Sequence, residues 1–344
     1  MAVVVAALLV PAVLLTAGRT LNPHGLRWVQ IVAFTPYAAP LYASALLLLL
    51  VVASRGRGTW RDVTRALAGL ALVGAVVHCY WARAPFVGRV AADEVGRATM
   101  IVMTSNLLAG GADTTRVVEL ATARDVDVLV VQEVTPRALA ELERAGVGRL
   151  LPHTVGKPER GVAGTMVFSR APLSGVRRLG TGFAGFAMTF PMGASDAGTG
   201  MVELLDVHPR APTDSLAKWQ DDHRVVGRAV RRLSGPAMVV GDLHATMDHA
   251  ELRGLERRGY EDAATSAGSG FQPTWPSSEQ VSWFGVAVPP LIAIDHVLVA
   301  GGLQAVRTDT FEVEGTDHRA LVVTLDVTRA ARRAGWGDGP RPRT

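Results

Sequence analysis

Short apolar runs in this chain end repeatedly in an acid, an amide or a histidine. Runs of this length and composition predict buried strands, and open α/β sheets build their sites where several strands end at one edge. Carboxylate and amide oxygens suit a hard divalent cation, and a histidine can transfer a proton near neutral pH. The pattern therefore predicts metal-assisted chemistry at such an edge. The residues concerned are Asn106 beyond the run 100–103, Glu133 after 128–131, His208 after 201–207, Asp242 and His244 after 237–240, Asp295 within 294–299, and Asp317 and His318 before 320–325.

The N-terminal quarter of the chain differs in composition from the rest. The 344 residues are 49% hydrophobic, and the mean hydropathy of +0.23 is high for a wholly soluble protein. Three uncharged apolar runs, 2–17, 29–53 and 66–81, account for the excess. Because a bilayer span needs about 20 apolar residues, we expect a membrane region over 1–88 with three transmembrane helices. A cleaved signal peptide is the alternative for the first run, but no Lys or Arg precedes Arg19, so a retained helix is favoured.

The basic residues between these runs predict an orientation. Four arginines separate the second run from the third, and two separate the first from the second. The positive-inside rule places the richer loop in the cytoplasm. We therefore expect a multi-pass protein of the cell membrane with its globular domain outside the cytoplasm. A transporter is disfavoured, because the runs contain no Asp, Glu, Lys or Arg. The arginines are Arg55, Arg57, Arg61 and Arg65 in the richer loop, and Arg19 and Arg27 in the other.

Residues 97–328 alternate short apolar runs with amphipathic stretches, which predicts an α/β domain. The glycine-rich segment 180–200 predicts a hairpin or a mobile loop, and the basic tail 329–344 is expected to be disordered. Cys79 is the only cysteine, so no disulfide can form within the chain; we expect it to pack as a small apolar residue.

Taken together, the motifs resemble the endonuclease/exonuclease/phosphatase superfamily, and the three apolar runs resemble a membrane-anchored bacterial branch of it. The resemblance implies a four-layered α/β sandwich, with two packed β-sheets flanked by helices, preceded by three transmembrane helices. It also implies hydrolysis of phosphate esters with Mg²⁺ or Mn²⁺. The motifs that carry it are, in chain order, Asn106, Gln132-Glu133, Gly164 to Arg170, Asp206 to Pro209, Gly241 to Thr246, Thr274-Trp275-Pro276, Ile294 to Leu298 and Thr316 to Arg319.

The resemblance implies that Glu133 binds the metal ion. It also implies that Asn106 supports this metal site and that Asp317 is a further ligand. Asp242 resembles the residue that orients or deprotonates the attacking water, and His208 resembles the histidine that contacts the phosphate or assists the leaving group. Two plainer interpretations stay open. Glu133 could cap the helix that begins at Pro136, and Asp242 could satisfy the backbone of a turn.

Asp295 and His318 resemble a pair in which the carboxylate fixes the imidazole tautomer and favours its protonated form. His296 directly follows Asp295 and, on a strand, points to the opposite face. We expect it to be a structural hydrogen-bonding residue. Trp275 is expected to pack against the edge of the site.

His244 departs from the family pattern, which usually has Asn at this place. An imidazole can still donate a hydrogen bond, but its reach and shape differ. Two functions therefore stay open: a membrane-anchored phosphoesterase acting on nucleic acid or a phospholipid headgroup, and a catalytically weakened or inactive phosphate-binding module at the membrane. The oligomeric state is not predicted. Aromatic content of 6% favours no base-stacking platform, and the helix arginines 224, 228, 231 and 232 are interpreted as a solvated surface.

Overall fold

The computed structural model describes residues 2–88, 100–191, 200–277, 282–283 and 286–327. The helices are α1 (Ala2–Leu21), α2 (Leu26–Val32), α3 (Ala38–Arg55), α4 (Gly58–Ala82), α5 (Thr114–Ala123), α6 (Pro136–Ala145), α7 (Val147–Leu150), α8 (Leu216–Val230), α9 (Ala250–Glu256) and α10 (Ala263–Ala267), with 3₁₀ turns at Thr35–Tyr37 and Ala84–Phe86. The strands are β1 (Met100–Asn106), β2 (Val128–Gln132), β3 (His153–Lys157), β4 (Thr165–Ser169), β5 (Ser174–Arg178), β6 (Phe186–Pro191), β7 (Met201–Asp206), β8 (Ala237–Asp242), β9 (Glu261–Asp262), β10 (Ser282–Trp283), β11 (Val286–Ala287), β12 (Asp295–Ala300), β13 (Leu303–Phe311) and β14 (Ala320–Val327).

Three helical segments at the N-terminus are long and apolar enough to cross a membrane: Ala2–Leu21, Thr35–Arg55 and Gly58–Ala82. The second span starts later than the apolar run 29–53, because α2 is a separate short helix and Pro36 lies in the first turn of the 3₁₀ segment, where it cannot extend a preceding helix.

The three segments pack around a buried polar contact. Thr16 of α1 makes hydrogen bonds of 2.8 Å to the Tyr42 hydroxyl of α3 and of 2.9 Å to Nε2 of His78 in α4. Gly74 permits this approach, since a Cβ there would lie 2.7 Å from the Tyr42 ring. Interhelical hydrogen bonds and small residues are common means of packing helices in lipid. Cys79, next to His78, lies on the exposed face of α4, outside the contacts between the helices.

The globular part contains two six-stranded mixed sheets. The first has the order β13-β14-β1-β2-β4-β3, and the second has the order β5-β6-β7-β8-β12-β9. Each has one parallel pair at its centre, β1 with β2 and β7 with β8, and its other pairs are antiparallel. The two sheets therefore have the same strand arrangement. In each sheet the carboxyl ends of the two central parallel strands lie at the same edge.

Side chains that point alternately to the two faces of each strand produce the layers of the domain. In β1, Met100 and Val102 point between the sheets and join an apolar core with Val128 and Val130 of β2 and with residues of the second sheet. The other face of the first sheet packs on α5 and α6, and that of the second sheet packs on α8 and α9. Successive side chains of a strand point to opposite faces, so both faces of each sheet are buried. The predicted four-layered sandwich is confirmed.

The globular domain contacts the ends of the three N-terminal helical segments. Arg19, in the last turn of α1, donates to Asp248 Oδ1 over 2.5 Å. The Tyr37 hydroxyl donates to the carbonyl of Leu291 over 2.8 Å. A small apolar cluster joins Ala33 to Ile292 and Ile294. These contacts all lie at the helix ends opposite the Arg55–Gly58 connection, so the domain and the arginine-rich loop are on opposite sides of the bundle.

Several elements were not predicted from the sequence. The edge strands β3, β5 and β13 carry polar residues at most positions and hide their period-two pattern. The glycine-rich segment 180–200 contributes β6, which pairs antiparallel with β7. Residues 192–199, where a hairpin would turn, lie outside the described residues. The linker 89–99 and the tail 329–344 lie outside the described residues.

Candidate active site

Strand direction gathers the polar residues at one edge of the sandwich. The parallel pairs β1/β2 and β7/β8 all end there, and β12 and β14, which run antiparallel to them, begin there. The register places Asp295 directly opposite Asp242. Below this edge the space between the sheets is apolar, and at the edge it becomes polar. The sequence-predicted residues therefore meet in one place. His296, by contrast, faces away and binds Asp262 and the Ala245 carbonyl at 2.8 and 3.0 Å, which confirms its structural role.

Glu133 lies just past β2, with a left-handed backbone of φ 58°. Asn106 Nδ2 donates to its Oε1 over 3.1 Å, and the Ala109 N–H donates to its Oε2 over 2.6 Å. Burial raises the pKa of Glu133, and these two donors act in the opposite direction. Helix α6 is capped by the Thr135 side chain, so Glu133 does not serve as its cap. The strained backbone instead turns this carboxylate into the site.

Asp242 is the most connected acid of the site. The His244 N–H donates to its Oδ1 over 2.9 Å, as in a turn, while Asn106 Nδ2 donates to its Oδ2 over 3.0 Å. One oxygen thus satisfies the backbone, and the other faces the histidines. Gly241 precedes it at φ 141°, where a Cβ would lie 2.1 Å from the Val207 carbonyl. Only glycine fits this close approach between β7 and β8.

Asp295 and His318 form a buried hydrogen-bonded pair. Nδ1 of His318 lies 2.9 Å from Asp295 Oδ2, and Nε2 lies 3.7 Å from Asp242 Oδ2. Burial lowers the pKa of His318, but Asp295, Asp242 and Asp317 outweigh this and raise it to about 10. The ring is therefore an imidazolium at neutral pH. It donates from Nδ1 to Asp295 and presents its Nε2–H to the site.

His208 has the opposite character. Its ring is fully buried, and neither nitrogen has a hydrogen-bond partner among the described residues. Burial, together with His244 and His318, lowers its pKa well below the usual value, so the ring is neutral. Nε2 lies 3.9 Å from Asp242 Oδ2 and 4.0 Å from Glu133 Oε1. A buried polar atom without a partner costs free energy, which indicates that a substrate or a water completes this position.

The position of His244 decides what its imidazole can offer. Nδ1 lies 2.9 Å from the Pro209 carbonyl, so Nδ1 carries a proton and donates it there. The ring stacks on His208 with centroids 5.2 Å apart. Nε2 lies 3.4 Å from Asp242 Oδ2. A neutral His244 therefore presents an acceptor to the site, whereas the amide of the family's usual Asn can present a donor.

The donor set fits a divalent cation. Glu133 and Asp317 supply the hard carboxylate oxygens that Mg²⁺ and Mn²⁺ prefer, and Asp317 Oδ1 is buried without a hydrogen-bond partner among the described residues. Asn106 supports Glu133 through its Nδ2, while its Oδ1 accepts from the Leu108 N–H over 2.9 Å. Two groups of side chains also bring ligand atoms within 4.8 Å of one another, namely His208, Asp242 and His244, and Asp242, Asp295 and His318. The second group is better interpreted as a proton-holding cluster, because a charged His318 has no lone pair for a metal.

Asp317 belongs to the rim of the site. Its Oδ2 accepts a 2.9 Å hydrogen bond from the Trp275 indole, and its carbonyl accepts from the Ser277 N–H over 2.6 Å. Trp275 also packs on the cluster of Ala33, Ile292 and Ile294. It therefore packs against the edge of the site as predicted, and it links this edge to Ala33 in the N-terminal helical part of the chain.

Sequence reasoning assigned no role to Asp206. On β7 it follows the inward positions Val202 and Leu204, so its side chain points between the sheets below His208. Burial raises the pKa of Asp206 to about 8, against a smaller opposite effect of the Thr165 hydroxyl. The carboxyl is therefore largely protonated at neutral pH. The sequence did contain a signal for this position, because Asp206 lies two residues after the apolar Leu204 on the same strand and therefore points to the same face.

Comparison with known proteins agrees with this architecture. D. rerio TDP2 complexed with a single-strand DNA product is 14% identical over 66% of this chain and 99% of that one, with a TM-score of 0.53. TDP2 from C. elegans is 17% identical, with a TM-score of 0.51, over 83% of this chain and 93% of that one. At these identities the likeness shows the fold alone. No curated protein matches the chain.

A family model gives the remaining evidence. The model of the Endonuclease/Exonuclease/phosphatase family matches residues 103–318. The match covers more than half of the chain and runs from β1 to His318, so it contains every polar residue described above. The chain belongs to the endonuclease/exonuclease/phosphatase family.

Proposed function

We propose that the protein is a membrane-anchored, metal-dependent phosphoesterase. The observation that carries the proposal is the grouping of different functional groups around one space: the acids Glu133 and Asp242, both held by Asn106, an imidazolium at His318 and a neutral imidazole at His208. Hydrolysis of a phosphate ester needs a cation for the phosphoryl charge, an oriented water and a donor for the developing negative charge.

Each residue has a role that follows from its contacts. Glu133, supported by Asn106 and Asp317, would hold Mg²⁺ or Mn²⁺, which when bound offsets the phosphoryl charge. Asp242, held at both oxygens, orients the attacking water and accepts its proton. His318 donates its Nε2–H to a phosphoryl oxygen while Asp295 holds the ring.

His208 and His244 complete the proposed constellation on the other side of Asp242. The neutral His208 can donate one hydrogen bond, to the phosphate or to the leaving oxygen. His244 fixes the turn through its backbone N–H, and its ring accepts at Nε2 unless it is protonated. If this acceptor leaves the developing negative charge without a donor, turnover is weak, and the protein acts as a phosphate-binding module. That alternative is an outcome of the experiment below.

For the substrate we favour a phospholipid headgroup. The rim residue Trp275 packs on Ala33 of the membrane region, so the site opens beside the ends of the membrane helices. We infer that these helices cross the cell membrane and that the domain faces the extracytoplasmic side. Nucleic acid is the second candidate, because a neighbour of the same fold was solved with a single-strand DNA product.

The experiment compares the two substrate classes directly. Full-length protein in detergent is assayed on phospholipid in mixed micelles, on single-stranded DNA and on a simple phosphodiester, each with Mg²⁺, with Mn²⁺ and with chelator. Metal-dependent cleavage of the lipid above that of DNA supports the lipid assignment, and the reverse order supports nucleic acid. Binding of phosphate without turnover of any substrate supports the binding module.

A further inference from the structure

A groove between α8 and α9 carries an unbalanced positive charge. Its volume is about 540 Å³, and four arginines line it: two from α8, one directly after α8 and one two residues after α9. Glu251 is the only carboxylate among the lining residues, and burial raises its pKa. His223 also lines the groove, but burial lowers its pKa to about 3, so it adds no charge. The arginines are Arg224, Arg228, Arg231 and Arg258.

These arginines differ from those on the opposite outer layer. On α5 and α6, each of Arg116, Arg137 and Arg144 has a carboxylate within 4 Å three or four residues away. In the groove, Arg224 has such a partner in Asp221. Among the residues that the structure describes, the other three pair with no carboxylate. The charge of the groove is therefore available to an anion from outside.

Glycines keep the groove open. Gly227 of α8 and Gly254 of α9 both line it. A Cβ at Gly227 would meet nothing within 4 Å, and one at Gly254 would meet only the ends of flexible arginines, the nearest at 3.6 Å. A helical backbone does not require glycine, and a glycine inside a helix costs about 1 kcal/mol relative to alanine. The open floor instead leaves room for a compact anionic group.

The groove lies beside the ends of the membrane helices. His249, at the start of α9, makes a 2.9 Å hydrogen bond to the Val29 carbonyl, and Arg253 donates to the Arg19 carbonyl over 2.9 Å. Gly254, next along α9, already lines the groove. Helix α9 has seven residues, so it is only about 10 Å long. This length separates the groove from the ends of the N-terminal helices, and it is similar to the distance over which salt screens charges under physiological conditions. The guanidinium groups are therefore within electrostatic reach of headgroups around the helix ends.

We propose that the groove between α8 and α9 binds the phosphate of an anionic phospholipid of the surrounding bilayer. The ligand class follows from the charge, and the bilayer as its source follows from the contacts of α9 with α1 and α2. Binding there would hold the domain at a fixed distance from the headgroups. This site is separate from the metal-binding edge and does not depend on hydrolysis. For Arg224, Arg228 and Arg231 the proposal adds a binding role to the solvated surface expected from the sequence.

The experiment measures lipid retention by the full-length protein. The protein is reconstituted into nanodiscs of phosphatidylglycerol and phosphatidylcholine, released into mild detergent, and its bound lipids are counted by native mass spectrometry. Arg228, Arg231 and Arg258 are changed together to Ala. A basic residue near an anionic surface contributes roughly a fivefold gain in affinity, so the triple variant should lose about 10²-fold in affinity for phosphatidylglycerol at this site.

Two matched variants serve as controls. Arg116, Arg137 and Arg144 changed together to Ala remove the same charge from the opposite layer and should retain phosphatidylglycerol like the native protein. Gly227→Glu, which has space for its side chain, should reduce retention, whereas Gly227→Ala should not. Retention should also fall in 1 M salt. Equal loss in both triple variants, or no loss in the groove variant, would overturn the proposal. So would a groove variant that keeps the lipid but loses binding of a labelled single-stranded oligonucleotide.

Discussion

The most informative perturbation is His244→Asn, which restores the residue type usual in the family. In the native site the Nδ1–H is used on the Pro209 carbonyl, so the ring offers the site only Nε2, which is an acceptor when it carries no proton. An Asn side chain carries an NH₂ group that can point at the phosphate. Loss of one aimed donor typically costs about 10²–10³ in rate, so its restoration should preserve the rate or raise it by up to about 10²-fold.

The variant should fold. It loses the hydrogen bond to Pro209 and the stacking on His208, which together contribute about 1–3 kcal/mol. That is less than the usual 5–15 kcal/mol of a folded domain. Residue 244 has φ 47°, a conformation in which Asn and His are both enriched. A change in rate will therefore report on the site and not on unfolding.

The assay is the kcat of native protein, His244→Asn and His244→Ala on one phosphodiester with saturating Mg²⁺. Asn should equal or exceed the native rate, and it should exceed the rate of the Ala variant, whose methyl group offers the phosphate no donor. An Asn variant as slow as the Ala variant would refute the reasoning and assign the imidazole itself to proton transfer. In that case the native pH–rate profile should have a limb between pH 5 and 8 that the Asn variant lacks. Since His208 and His318 could also produce such a limb, the two profiles must be compared.

Three further predictions use other parts of the structure. Glu133→Gln removes a ligand charge, so it should raise the Mg²⁺ concentration for half-maximal activity and lower the rate by about 10² or more; an unchanged metal titration would exclude Glu133 as a ligand. Asp206 holds a proton in the fold up to pH about 8, against a usual pKa of 3.8, so stability should decline as pH rises between these values. Thermal melts of Asp206→Asn should lack that decline, and an equal decline in both proteins would contradict the burial argument. A reporter fused after Thr344 that is active only in the cytoplasm should stay silent, and a strong signal would overturn the proposed orientation.

Much of the fold could be predicted because the central strands are continuous apolar runs. β2 and β8 are buried on both faces, and helix α6 begins and ends where its Pro and Gly signals indicate. The edge strand β13 could not be predicted, since only three of its nine residues are buried and its burial alternates only weakly. Its pairing with β14 depends on tertiary context.

The residue types of the site were predictable, but their states were not. Strand-end positions in the sequence indicated Glu133, Asp242 and His318. Whether an imidazole is charged depends on contacts that bring distant segments together, such as Asp295 beside His318 and the apolar surroundings of His208. The same limit applies to His244, whose hydrogen bond to Pro209 reverses what its ring offers the site.

The most direct test of the account is metal-restored hydrolysis by matched proteins. Native full-length protein and Asp242→Asn, which keeps the shape of the side chain, are stripped with chelator and assayed on bis(p-nitrophenyl) phosphate as Mg²⁺ or Mn²⁺ is returned. The account predicts that hydrolysis returns with metal in the native protein and stays at least about 10²-fold lower in the variant. Hydrolysis that persists at the same rate in the presence of chelator, or that Asp242→Asn retains in full, would contradict the proposed metal-dependent mechanism.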